Sequence, residues 1–186
     1  MFDHEQLIRA ALEGGAAKAV VIPQEKIVVS KVFWDICAGN GCGNFGKCWM
    51  CPPAIGQYEE LAEKVRSYSH GVLYQTIAEI EDSFDIEGMF DAGKNHAQVS
   101  QHIQQLVKPI LGDGFLHLSC GGCRLCERCA KKDDQPCRFP DKALPAMEGC
   151  GIDVYNTTKD THLKYINGTN TVTYFGIVLF TEEKNA

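Results

Sequence analysis

"GFLHLSCGGCRLCERC", residues 114 to 129, carries the chain from an apolar run directly into four cysteines placed at every third position. The run around Leu116 and Leu118 reads as a β-strand, so a strand end delivers Cys120, Cys123, Cys126 and Cys129 to the rim of a sheet. Cys137 follows eight residues after Cys129. Disulfides staple distant segments, whereas C-x2-C turns aim two thiolates at one centre.

Upstream, "CAGNGCGNFGKCWMCPP", residues 37 to 53, holds Cys37, Cys42, Cys48 and Cys51, with gaps of four, five and two. Its glycines permit positive φ, so this loop can wrap tightly around a bulky group. Nine of the ten cysteines therefore fall in two compact segments, and Cys150 completes the set.

The rest of the chain bounds how those thiols are read. The N-terminus, "MFDHEQLIRAALEGG", has early acidic residues and no basic stretch before an apolar core, which argues against a secretory signal. No apolar run approaches the length of a membrane span. A cytoplasmic, reducing setting makes metal ligation or redox chemistry the expected use of the cysteines. The formal net charge of −6 argues against nucleic-acid binding, which needs a basic face.

Periodicity places the segments on a scaffold. Residues 3–13 read as an amphipathic helix ended by Gly14-Gly15. Residues 17–23 and 26–33 read as strands or a hairpin around Pro23. Residues 55–69 read as a helix after Pro52-Pro53, 71–80 as a core strand, and 92–111 as a longer helix. Asn167-Gly168 turns into a final strand. The expectation is one α+β domain over residues 1–186, a small mixed or antiparallel sheet with helices packed on it. The cysteine loops 37–53 and 120–150 then lie at the sheet edge.

A cubane cluster needs thiolates converging on alternate corners, and ferredoxin-type loops supply three close cysteines plus a remote fourth followed by proline. Cys123, Cys126 and Cys129 fit the three, with Cys137 as the fourth and Pro140 slightly beyond. A register using Cys120, Cys123 and Cys126 with a distant partner is the alternative. Two facing C-x2-C pairs also build an all-thiolate zinc site, but zinc sites normally separate the pairs by a longer loop.

Other chemistry-bearing residues have plainer readings. His117 reads as a sheet-face residue, His96 and His102 as helical residues poorly spaced for one site, and His70 as a helix C-terminal residue. Trp34, Phe45 and Trp49 shield the first segment. Arg124, Arg128, Lys131 and Lys132 form a basic patch that is either a solvated face or a dock for an acidic partner. No phosphate-binding loop, dinucleotide fingerprint or hydrolase triad is present, so no catalytic side chain is assigned.

The Cys-Pro-Pro at 51–53, the C-x2-C-x2-C at 123–129, the Cys-Arg-x-Pro at 137–140 and "MEGCGIDV" from Met147 resemble a family of uncharacterised cysteine-rich, predicted metal-binding proteins of anaerobic bacteria and archaea, over roughly residues 30–180. The resemblance implies Cys37, Cys42 and Cys51 as ligands in the first segment and Cys123, Cys126, Cys129 and Cys137 in the second. Cys48, Cys120 and Cys150 depart from its pattern. Cys48 is the first choice for the missing fourth ligand of the first site, with Cys120 and Cys150 in reserve. The sequence thus predicts two [4Fe-4S] clusters, electron transfer, and a redox partner protein. An enzyme with an open-site cluster doing sulfur-transfer or reductive chemistry is the alternative. A zinc-stabilised interaction module is the third reading.

Overall fold

The computed structural model describes residues 2–182. At its centre is a four-stranded sheet in the order β1-β2-β4-β3, formed by β1 (Lys18–Pro23), β2 (His70–Glu79), β3 (Phe115–Leu118) and β4 (Thr171–Phe180). Every neighbouring pair is antiparallel, and β2 and β4 pair along their full lengths, from His70 opposite Phe180 to Glu79 opposite Thr171. Both strands are covered on both faces, so they read as continuous apolar runs rather than alternating ones.

One face is closed by α1 (His4–Glu13) and α4 (Ile86–Leu111). Leu7 and Ala11 of the first and Ile103 and Val107 of the second pack on Val72, Tyr74, Val178 and Phe180. Asp3 starts α1 by accepting the Glu5 N–H at 3.0 Å. The other face carries Leu73, Phe175, Ile177 and Leu179 against Leu61 and Val65 of α3 (Tyr58–Arg66), together with Met147 and Ile152. Each such buried aliphatic or aromatic side chain contributes about 1.5–3 kcal/mol. The cysteine segments sit on this second face and beyond β3, the edge strand.

Three local expectations are corrected. Residues 26–33 form no hairpin: the apolar stretch makes a single bridge, Val29 with Ile152, and the chain then enters α2 (Lys31–Ala38). Ser30 decides this, because its side chain accepts the Val32 N–H and caps the helix. The helix expected at 92–111 begins at Ile86, since Asp85 accepts the Gly88 N–H at 2.8 Å. His70 opens β2 instead of ending a helix. A short α5 (Val154–Thr158), capped by Asp153, has no counterpart in the periodicity reading.

Candidate metal centre

The two cysteine segments converge because the backbone ties them at one base. Just past β3, Ser119 bridges Ala146: Ser119 N–H donates to Pro145 O at 2.9 Å, and Met147 N–H donates to Ser119 O at 2.7 Å. The loop holding five cysteines is therefore closed at its neck. Ala146 N–H also donates to Met50 O at 3.2 Å, which fastens the first segment to the same neck. The two loops meet again where Gly122 lies against the Asn44 side-chain amide, 2.6 Å from where a Cβ would stand. In the first segment, α2 delivers Cys37 in its last turn, and Gly43 and Gly46 take positive φ to reverse the chain toward Cys51.

The thiols divide between two cavities. One, of about 410 Å³, is lined by Cys37, Cys42 and Cys51 with Phe45, Pro52 and Glu148. The other is a narrow void of about 20 Å³ lined by Cys48, Cys123, Cys126, Cys129 and Cys137. Cys48 thus lines the second void, although its segment belongs to the first. Cys120 lies beside Arg124 near α4, and Cys150 is buried in the core under α3; neither lines one of these two cavities.

The spacing of the sulfurs bears on what these sites suit. Tetrahedral zinc with bonds of about 2.3 Å holds its sulfurs about 3.8 Å apart. Among the described residues, no three cysteine sulfurs lie mutually within 4.8 Å. The second void is far smaller than a pocket for an organic molecule, which runs to several hundred Å³. It holds about one water-sized sphere, and five soft thiol donors converge on it. The first cavity combines three soft thiol donors with space for a further group.

Electrostatics follows from burial and from hydrogen bonds to sulfur. Burial, reinforced by the Glu148 and Cys42 charges, pushes the Cys37 thiol up to about 11. Burial likewise lifts Cys123 to about 11 and Cys150 to about 12, and raises Cys120. Cys48 moves the other way: the Cys51 thiol, the N–H groups of Met50 and Cys123 and the Cys129 thiol all hydrogen-bond to its sulfur and hold it below the usual thiol range. Its partner Cys51 is correspondingly raised. Half-buried Glu148 accepts the Gly121 N–H at 3.2 Å, and burial raises its carboxyl. Buried thiols of this kind keep their protons until a cation replaces them.

The remaining candidates have structural partners. His117 is buried on the helix-covered face, its Nε2 2.7 Å from the Tyr74 hydroxyl, as a sheet-face residue should be. His96 is buried against Thr76, while His102 is exposed. Trp34 and Phe45 pack edge to face beside the first cavity, whereas Trp49 lines the second. The basic patch is largely engaged: Arg128 forms a two-pronged pair with Asp133, Arg124 donates to Phe90 O, and Lys131 sits 4.2 Å above the Trp49 ring. What sequence reasoning missed is Glu148, one residue after Met147, since a single glutamate in a turn carries no spacing signal.

Among the described residues no helix is long and apolar enough to cross a membrane. A family model described as predicted metal-binding protein (DUF2284) matches residues 20–180, a span that includes all ten cysteines. No curated protein and no solved structure matches the chain.

Proposed function

The chain belongs to this family of predicted metal-binding proteins, and we propose that its two cysteine-lined cavities hold two iron–sulfur centres of the [4Fe-4S] type in an electron-transfer protein. The observation that carries the reading is the convergence on one narrow void of the three thiols of the C-x2-C-x2-C run with Cys137 and Cys48, three close cysteines plus remote ones as ferredoxin-type loops supply. Cys123, Cys126, Cys129 and Cys137 hold the second centre, with Cys48 as a fifth thiol at its wall. Cys37, Cys42 and Cys51 hold the first. Such clusters supply one-electron redox chemistry when bound, at potentials set by thiolate ligation, N–H···S bonds and burial. The chain's own contribution is to fix the thiolates, aim the Met50 and Cys123 N–H groups at Cys48, and keep water from the second void. A cytoplasmic setting and a redox partner protein complete this reading.

One observation favours the second reading, an enzyme. The first cavity has three cysteines, a carboxylate and about 410 Å³ of space, a volume in the range of small-molecule pockets. A centre held there by three thiolates keeps one position for a substrate. Binding of a small thiol or cyanide to reconstituted protein, followed by electron paramagnetic resonance, separates the two. A perturbed signal from one centre supports the open site, and two unperturbed signals support electron transfer alone.

A further inference from the structure

We propose that His4, His70 and Glu182 form a separate divalent-cation site, suited to zinc, at the end of the sheet away from the cysteines. The three donor atoms lie within 4.8 Å of one another, the one trio of histidine, cysteine or acidic groups among the described residues to do so. His4 Nε2 is 2.7 Å from Glu182 Oε1, and the His4 and His70 rings are 5.2 Å apart, tilted by 58°. Each comes from a different element: the first turn of α1, the first residue of β2, and the segment just after β4. The register places His70 opposite Phe180 and Phe180 opposite Phe115, where β3 begins. The cysteines follow the other end of β3.

The surroundings prepare the trio for a cation. Ser69 is the organising residue. Its hydroxyl accepts the Glu182 N–H at 2.9 Å and lies 3.4 Å from Phe180 O, which accepts the Ser69 N–H at 3.1 Å. His70 Nδ1 is 2.9 Å from the same hydroxyl oxygen, one hydrogen bond that orients the ring whichever of the two atoms donates. This is the arrangement in which a second partner orients a ligating imidazole. His70 also stacks on Phe180 at 5.6 Å and 22°, which restrains ring rotation. Two imidazoles and one carboxylate make a three-ligand zinc set with a fourth position for water. In the cation-free state the His4 Nε2 proton bridges to Glu182. On binding, that proton leaves to solvent and both atoms turn to the metal, so binding weakens as pH falls.

The test uses protein purified anaerobically with its cysteine sites loaded, titrated with Co²⁺ and then with Zn²⁺. The expected result is one further equivalent of cobalt with visible d–d absorption, no thiolate-to-cobalt charge transfer, and displacement by zinc. This equivalent disappears in His70→Gln and in Glu182→Gln, the second variant guarding against a folding defect in the first. Ser69→Ala keeps all three ligands and lowers affinity by about tenfold or more, which a plain His4–Glu182 hydrogen bond would not produce. Equal cobalt uptake by wild type and both ligand variants, or a spectrum carrying thiolate charge transfer, overturns the proposal.

Discussion

Cys48 and Cys51 share one turn, with the Cys51 N–H donating to Cys48 O at 3.2 Å, yet their side chains line different cavities. The turn is therefore a wall common to both candidate centres. The Cys51 thiol faces the Cys48 sulfur, which lowers Cys48 and raises Cys51.

Because the second void is lined by five thiols and the first cavity by three, the sites should answer differently to cysteine loss. Cys48→Ala and Cys137→Ala, made singly, leave four thiols at the second void and should retain its metal. The double variant should lose it. Cys42→Ala should by itself empty the first site. Metal content of each variant after anaerobic purification checks the pattern, and loss of the second centre in Cys48→Ala alone contradicts it.

How much of this was legible beforehand depended on how local the signal was. The C-x2-C-x2-C run and the strand before it are local, and both appear where the spacing places them. Long apolar strands such as β2 and β4 also declare themselves, because burial on both faces leaves little polar interruption. The partner of Cys48 was not legible. Gaps of four, five and two describe distance along the chain, whereas the Ala146–Met50 hydrogen bond that swings this segment toward the other loop is non-local. The same holds for α2, where one capping serine outweighed a β-branched run.

Gly149 is a tight point between the segments. A Cβ there would meet Pro52 Cδ at 2.8 Å, and a proline ring cannot rotate away. Gly149→Ala should push the Cys51-Pro52 turn off the Glu148–Cys150 turn and lower stability by about 1–3 kcal/mol. The thermal midpoint should fall, and the first-site metal should leave faster to a chelator than the second-site metal. Equal chelation rates would count against this coupling.

His96 and His117 make the fold acid-sensitive. Burial depresses His96 to about 4 and His117 to about 3, with the other histidine opposing His117 and Arg124 opposing His96. Tyr74, Thr76 and Ser100 are their neutral neighbours. Both folded values lie below the ordinary value near 6.5, so the unfolded chain binds more protons between pH 6.5 and 4. Stability is full above that window and falls as pH drops through it, by about 1.4 kcal/mol per pH unit for each histidine. Acid titration followed by circular dichroism should show a shallower decline for His117→Gln, which keeps a group able to hydrogen-bond Tyr74. An unchanged slope would remove His117 from the account.

Tyr74 anchors that network. Its hydroxyl is 2.8 Å from Ser100 Oγ and 2.7 Å from His117 Nε2 with no exposure to solvent. Tyr74→Phe leaves both partners short of a hydrogen bond and should cost about 1–3 kcal/mol in chemical denaturation. The metal content of the cysteine sites should stay unchanged, since the neck of the cysteine loop is closed by backbone bonds of Ser119, and Tyr74 reaches it only through Ser100.

The most direct measurement of the central claim is the iron, acid-labile sulfide and zinc content of protein purified without oxygen. Two [4Fe-4S] centres predict about eight irons and eight sulfides per chain, with a visible absorption band that bleaches on reduction. Stoichiometric zinc at the cysteine sites, with neither iron nor sulfide, would contradict it.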